Sequence, residues 1–460
     1  MRTGSRSADG TPAAAARPPG RGRALLGIAL GYFAVLLDTT VLAVAEPDLA
    51  DSLGSSTAGL QWVVTGYSVA FGALLLSGGA VADRYGAHRA FRFGIAAFGA
   101  ASALSALAPG LTALVVLRAV LGVAAAASVP AGMAMITRLY PDVAERARAI
   151  AVWAAVSGCA MAFGPVVGGV LVGLGGWRAV FWANVPLTVL VLALTAGRVV
   201  RCPRGERRID WWGQLAACAV LALATDVLIE AGSGAWGRAG WSAGAALAAG
   251  VLFVRRERRS PAPVLQSAVV RAPGMRAVLA AGAAVNFAML GLLFTLPLLL
   301  RHDLRLSPVA AGAAFLPMTL PPGFNPLLTG RIVARVGPWR PVVGGLALLT
   351  AGCLVTGAAV VAGTPYPLLA VGLLCAGFGV SFALPALVTA VVSAAPEGGA
   401  GAAGGLLNAV RQVGATLGVA VMGAFVGVEG DAGGAAAGAA LLLPAAGCAL
   451  AGLLLARRAR

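Results

Sequence analysis

Fourteen apolar stretches, separated by short polar segments, follow one another along the chain. Most are about 20 residues long, the length that an α-helix needs to cross the hydrocarbon core of a bilayer. The charged residues are gathered in short clusters between these stretches. The pattern predicts an all-α polytopic membrane protein with helices at 24–45, 58–78, 91–108, 111–137, 149–172, 179–199, 211–230, 240–254, 277–299, 309–329, 341–361, 365–392, 404–427 and 436–455.

The composition favours the same class of protein. Apolar residues make up 59% of the chain and charged residues only 11%, whereas a soluble domain has about 25% charged residues. The 64 glycines and the many alanines allow helices to approach closely in lipid.

The basic residues predict the orientation of the helices. All 34 are arginine. If the N-terminus is cytoplasmic, 28 of them lie on the inner side and only four in outer loops: Arg178, Arg238, Arg301 and Arg305. By the positive-inside rule, both termini are cytoplasmic. The arginines flank the apolar stretches instead of forming one patch, so no nucleic-acid partner is expected despite the net charge of +17.

An internal repeat divides the chain. The segment from Gly79 to Gly86 recurs from Gly330 to Gly337, 251 residues later. Parallel repeats of this kind are typical of transporters. We therefore predict six-helix bundles at 24–200 and 277–455, two inserted helices within 201–276, and cytoplasmic termini at 1–23 (disordered, without a cleavable signal) and 456–460.

The turn after the second predicted helix reads Gly79-Ala-Val-Ala-Asp83-Arg84-Tyr-Gly86-Ala-His-Arg89. It resembles the corresponding turn of the major facilitator superfamily. The chain is similar to the fourteen-span drug:proton antiporters of that family, and the resemblance implies a conformational latch at this turn. A solvated turn with ordinary charges is the alternative. In the second copy Ala334, beside Arg335, replaces the acid, so the latch is expected in the first half.

Two charged residues inside predicted helices point to proton coupling. Asp38, in Leu37-Asp-Thr-Thr-Val41, and Arg118 both match family motifs, and the resemblance implies that Asp38 carries the proton while Arg118 modulates it. Charged groups within a membrane need a partner. The alternatives are a structural carboxylate bonded to Thr39 or a neighbouring helix, and an arginine bonded only to backbone.

A glycine-rich segment favours export over uptake. Gly158, Gly164, Pro165, Gly168 and Gly169 resemble the antiporter signature GxxxGPxxGG, which the resemblance associates with exporters. The alternative is a helix-packing face with no bearing on direction.

Four further positions are singled out. Arg411, in the segment Asn408–Gly414, resembles a motif of the second half. Asp226 and Glu230, four residues apart on one helix face, are candidates for a second proton or cation site, although Glu230 is expected to reach water. Asp210 is expected to cap the following helix.

Two more acids, Glu46 and Asp48, follow Asp38 on the first predicted helix. Glu46 stands where the family usually has leucine. Both are expected near the outer mouth, in water.

The combined prediction is a monomeric proton-driven exporter of a small amphipathic compound in the inner membrane of a bacterium, without metal or cofactor. A negative cavity acid suits cationic or amphipathic substrates. The absence of lysine excludes a P-loop pump. Uptake of a nutrient on the same fold, a membrane-embedded transferase and a channel are the alternatives. No catalytic motif supports the transferase.

Overall fold

The computed structural model describes residues 20–197, 201–202, 210–260, 267–303, 306–396, 400–426, 436 and 438–458. In this part of the chain all regular elements are helices, as predicted. They are α1 (Arg21–Leu53), α2 (Thr57–Tyr85), α3 (Ala87–Ala106), α4 (Leu111–Leu139), α5 (Val143–Leu194), α6 (Trp211–Gly232), α7 (Trp236–Arg259), α8 (Ser267–Arg271), α9 (Met275–Asp303), α10 (Pro308–Ala313), α11 (Leu316–Phe324), α12 (Pro326–Val336), α13 (Trp339–Val361), α14 (Tyr366–Ala394), α15 (Ala400–Val426) and α16 (Leu442–Arg458).

Eleven helices of the described chain are long and apolar enough to cross a membrane. The helix α3 and the short helices α10–α12 fall outside this set. The segment Arg148–Leu194 is one of these eleven helices, although non-helical backbone at Gly175 and Gly176 divides it into the two predicted helices. The number fourteen therefore stays a prediction, and most of residues 1–23 lie outside the described chain.

The predicted helix 309–329 differs from the structure. In its place, three short helices follow one another from Pro308 to Val336. Five prolines lie within this segment, at positions 308, 317, 321, 322 and 326. Proline lacks a backbone N–H and cannot continue the helical hydrogen-bond ladder, which the apolar pattern alone does not reveal.

Arginines cluster at one end of the bundle, where they satisfy the last carbonyls of neighbouring helices. Arg21 donates to the Leu139 carbonyl at the end of α4, and Arg92 donates to the Thr195 carbonyl after α5. Guanidinium groups favour helix C-termini because free carbonyls and the negative end of the helix dipole meet there. We call this end of the bundle the basic end. The opposite end, where Gly54 and Gly176 lie, is called the far end.

The helices pack in two similar sets. In the N half (α1–α5), α1 packs on α5, while α4 packs on both α2 and α3. In the C half (α9–α16), α9 packs on α15, while α14 packs on α11, α12 and α13. The repeated turns agree, because Gly86 and Gly337 both adopt positive φ angles, 91° and 77°. The domain boundaries themselves stay predictions.

The two halves contact each other at mid-depth and at the far end. Gln61 of α2 donates to the carbonyls of Val419 (3.2 Å) and Ala420 (2.7 Å) on α15. Thr319 of α11 donates to the Ala162 carbonyl of α5 at 2.8 Å. The helix α6 packs on α2 and α15, on one side of the bundle, and α7 packs on α6.

Candidate functional site

Asp38 and Arg118 form an ion pair in the core of the N half. The two side chains come from α1 and α4, and each residue is only 1% exposed. Arg118 Nη1 lies against Asp38 Oδ2. The structure thus brings together the two residues that the sequence singles out as a proton-coupling pair, and each supplies the partner that the other needs inside a membrane.

Arg118 has two further contacts on α2. Its Nε donates to the Val63 carbonyl oxygen at 2.9 Å, and its guanidinium carbon lies 4.6 Å from the centroid of the Tyr67 ring. The aromatic face stabilises the cation. Arg118 therefore keeps partners on α2 if the charge on Asp38 is neutralised.

Asp38 accepts a second hydrogen bond from a residue that sequence reasoning missed. Asn184, on the second segment of α5, donates from Nδ2 to Asp38 Oδ1 at 3.0 Å. The same amide lies 3.1 Å from Ser102 Oγ. Nothing in the sequence around Asn184 indicates that this asparagine contacts Asp38.

The expectation that Glu46 is solvated is wrong, whereas Asp48 is partly exposed. Glu46 is 1% exposed, and its Oε2 has no hydrogen-bond partner among the described residues. Asp48 Oδ2 accepts a hydrogen bond from the backbone N–H of Trp177 at 2.7 Å. Asp48 therefore caps the second segment of α5 just after the break at Gly176, whose φ is +65°.

The glycine-rich segment of α5 lies where three helices meet. A Cβ at Gly164 would overlap the Thr40 hydroxyl of α1, and one at Gly168 would lie 2.8 Å from the Val41 carbonyl oxygen. A Cβ at Gly169 would overlap the Pro308 carbonyl of α10, while Gly158 has only the Pro322 oxygen at 3.8 Å. Close approach of backbones therefore requires glycine at 164, 168 and 169.

Pro165 takes part in the contact between α5 and α10. A Cβ at Gly312 of α10 would overlap the Pro165 carbonyl oxygen. The glycine-rich segment therefore joins the N half to the C half through α10.

The turn predicted as a latch lies at the surface. Asp83, Arg84 and Arg89 are exposed; Gly79 lies within α2, and Gly86 alone forms the turn between α2 and α3. Arg335 is likewise exposed in the last turn of α12. The latch stays a prediction.

His88, in the same turn, accepts a hydrogen bond through Nδ1 from the Cys202 backbone N–H at 3.0 Å. Partial burial, followed by the nearby cations Arg92, Arg89 and Arg201, lowers the pKa of His88 below its ordinary value of 6.5. His88 therefore stays neutral in the folded protein at a pH where a free histidine begins to protonate.

The structure does not bring Asp226 to Asp38. The Ser242 hydroxyl of α7 donates to Asp226 Oδ2, so this carboxylate lies on the face of α6 that packs on α7. Glu230 lies 3.3 Å from Arg238 Nε, an arginine whose side chain is 76% exposed. Asp210 caps α6, as expected, by accepting from the Gly213 N–H at 3.0 Å.

Arg411 occupies a different position, at the boundary between the halves. It is half-buried on α15. Its Nε donates to Asn286 Oδ1 of α9 at 3.2 Å, and its Nη1 donates to Asn408 Oδ1 at 3.0 Å.

A small, largely enclosed apolar pocket also lies between the halves. Side chains of α1, α5, α9, α11 and α14 line it: Thr40, Met161, Met289, Leu293, Met318, Thr319, Pro322 and Val380. Three methionines give the walls flexible, polarisable surfaces that can adapt to different apolar shapes.

Comparison with known proteins agrees with this architecture. Two methylenomycin A resistance proteins are similar along nearly the whole chain. The protein from Streptomyces coelicolor is 32% identical over 444 residues, which cover 94% of this chain and 91% of that protein. The one from Bacillus subtilis is 34% identical over 438 residues, with 94% and 92% covered.

A solved structure shares the fold. The structure of the POT family transporter PepTSo aligns with a TM-score of 0.70 at 15% identity and covers 96% of this chain and 98% of that one. The sequence profile of the Major Facilitator Superfamily matches residues 28–419. The chain is therefore a membrane transporter, not an enzyme, and belongs to the Major Facilitator Superfamily.

Proposed function

We propose that this protein exports small amphipathic compounds from a bacterial cell in exchange for protons, by alternating access. The relatives that support export are resistance proteins, including a tetracenomycin C resistance and export protein from Streptomyces glaucescens that is 33% identical over 410 residues. The observation that carries proton coupling is the buried contact between Asp38 and Arg118. A carboxylate held in a dry interior by one cation and one amide is a group whose protonation changes its contacts.

The helix α1 links this carboxylate to the pocket between the halves. Asp38 faces Arg118 in the N half, while Thr40, two residues later, lines the apolar pocket. A proton on Asp38 weakens its hold on Arg118, which retains Val63 and Tyr67. Proton and substrate then act on the same helix from different faces, and this lets one displace the other.

The proposed direction of transport is supported by the resistance proteins among the relatives and by the resemblance of the glycine-rich segment to the antiporter signature. Gly164 and Gly168 hold α5 against α1 within the N half, and Gly169 holds it against α10 of the other half. The contact at Gly169 joins the two halves toward the far end, and in an exporter it has to open when the substrate is released.

The remaining parts of the proposal follow the sequence. The chain crosses the cytoplasmic membrane fourteen times with both termini inside, and works as a monomer. The exposed charges of Asp83, Arg84, Arg89 and Arg335 rearrange as the halves tilt. Each proton that moves inward across 100 mV supplies about 2.3 kcal/mol to drive the cycle.

Inverted membrane vesicles test the proposal. With an inward-acidic gradient, wild-type vesicles should accumulate a fluorescent amphipathic dye, and a protonophore should abolish the accumulation. Asp38→Asn should lose at least about 90% of the gradient-driven rate, because an amide cannot carry the proton. Asp51→Asn, an exposed acid at the end of the same helix, is the matched control and should retain the wild-type rate.

Two outcomes would contradict the proposal. If gradient-driven accumulation persists in Asp38→Asn, Asp38 does not carry the proton. The same assay on Asp226→Asn would then test whether a second acid does. Accumulation only in right-side-out vesicles would show uptake instead of export.

A further inference from the structure

Arg411 is a half-buried cation of α15 at the boundary between the two halves. Among the residues that the structure describes, no carboxylate forms an ion pair with it; the pairs involve Arg21, Arg118, Arg238 and Arg256. Arg118, the other arginine within an apolar stretch, is paired with Asp38. A charge inside a membrane is costly unless an opposite charge or a polar cavity compensates it. Two amide oxygens and solvent compensate Arg411 in part, and a bound anion can supply the opposite charge.

The two amide side chains around Arg411 can also donate hydrogen bonds through their nitrogen atoms. Asn286 and Asn408 both use their amide oxygen to accept from Arg411. Since a guanidinium can only donate, the oxygens must face it, and both amide nitrogens keep free donor capacity on their other side. The guanidinium has five N–H groups, and the hydrogen bonds found engage only its Nε and Nη1.

A residue of the N half approaches the same point. Tyr32 of α1 lies near Arg411, and its ring stacks on Trp153 with centroids 4.6 Å apart and an interplanar angle of 6°. Trp153 thus holds the Tyr32 ring in one orientation. The cleft at this level presents a guanidinium, amide N–H groups and a phenol, which together favour a carboxylate or a sulfonate.

The apolar pocket lies next to this donor cluster. Met289 of the pocket follows Asn286 by three residues, which is about 4.5 Å along α9. The pocket encloses only about 250 Å³, so a ligand whose anionic group contacts Arg411 can place its apolar body among Met161, Met289 and Met318 only when these side chains move apart. Asp38 does not oppose such a ligand, because Arg118 neutralises it.

We propose that Arg411, with Asn286 and Asn408, binds the anionic group of the substrate, so that the exported compounds are amphipathic acids. This inference depends on the export proposed above and names its substrate class. It differs from the expectation of a cationic or amphipathic substrate that the sequence alone supports. Exchange of a monoanion for one proton moves two positive charges inward per cycle, whereas exchange of a monocation moves none.

Two probes with one aromatic frame test the site. 1-Anilinonaphthalene-8-sulfonate carries a sulfonate, and N-phenyl-1-naphthylamine is the same molecule without it. Their fluorescence is titrated with purified protein in lipid nanodiscs at constant pH, without any gradient. Wild type should bind the sulfonate probe at least about tenfold more tightly than Arg411→Gln does, as expected for a lost charged hydrogen bond, while the affinity for the neutral probe changes less than about twofold.

A second variant keeps the test decisive if Arg411→Gln folds poorly. Asn286→Asp is nearly isosteric and places a carboxylate beside Arg411, at the 3.2 Å contact that the amide oxygen makes now. The new carboxylate should lower the affinity for the sulfonate probe at least about tenfold and leave the affinity for the neutral probe unchanged. Arg411→Lys should restore part of the sulfonate affinity.

The outcomes separate this inference from the proposed function. Equal sulfonate affinity in wild type, Arg411→Gln and Asn286→Asp would overturn the anion site, and so would an equal loss of both probes, which would show a structural role. If the sulfonate probe binds and its binding depends on Arg411, but proton-driven transport fails, only the proposed exchange mechanism is contradicted.

Discussion

The N half and the C half share a helix arrangement but differ in buried charge. Asp38 and Arg118 form an ion pair in the N half. The residue 251 positions after Asp38 is Met289, 7% exposed, and the residue of α14 that matches Arg118 is Leu373, 0% exposed, because the internal prolines of α4 and α14 lie 255 residues apart. At these matching positions the C half packs its helices without a charged pair, so the shared helix arrangement does not require one there. We infer that the pair in the N half serves a purpose other than folding.

Transplanting the C-half residues should produce the largest effect. In Asp38→Met alone, Arg118 loses its counter-charge in a dry core, which should cost about 3–5 kcal/mol of stability. The double variant Asp38→Met/Arg118→Leu should recover most of this loss while gradient-driven transport stays absent in both. Thermal unfolding in detergent and vesicle transport measure the two quantities. A double variant as unstable as the single one would show that the N half needs the pair to fold.

The glycine-rich segment offers the next comparison, because Ala415 stands 251 residues after Gly164. The Gly164→Ala variant should lose most of its transport, at least about tenfold, since its Cβ would overlap the Thr40 hydroxyl and force α5 away from α1. The Gly158→Ala variant lies in the same helix with its nearest neighbour at 3.8 Å and should behave as wild type. Equal transport rates in the two variants would contradict the close approach at Gly164.

Much of this site could be predicted from the sequence, because an aspartate and an arginine within apolar stretches must find each other or water. Burial at helix ends could not be predicted. Glu46 lies near the end of its apolar stretch, where pattern alone predicts water, yet neighbouring helices enclose it completely. The break at 308–336 and the position of Asp226 depend likewise on tertiary packing, which one sequence does not record.

The smallest expected effect concerns His88, whose counterpart in the C half is Trp339. Its folded pKa lies below 6.5, so the unfolded chain takes up a proton before the folded one. Stability should therefore fall as the pH drops below about 6.5, until the folded pKa is passed. The drop in Tm between pH 7.5 and pH 5.5 should be smaller in His88→Gln than in wild type. An identical drop in both would exclude His88 as its source.

The bond between Asp48 and Trp177 limits how α1 can shift. Asp38 is tied to Asn184, and ten residues further along α1, about 15 Å away, Asp48 is tied to Trp177. Both partners belong to the second segment of α5. Two attachments at that separation prevent the helices from sliding or pivoting independently. Loss of either bond would leave the two helices joined by the other bond alone, so that α1 could pivot on the second segment of α5.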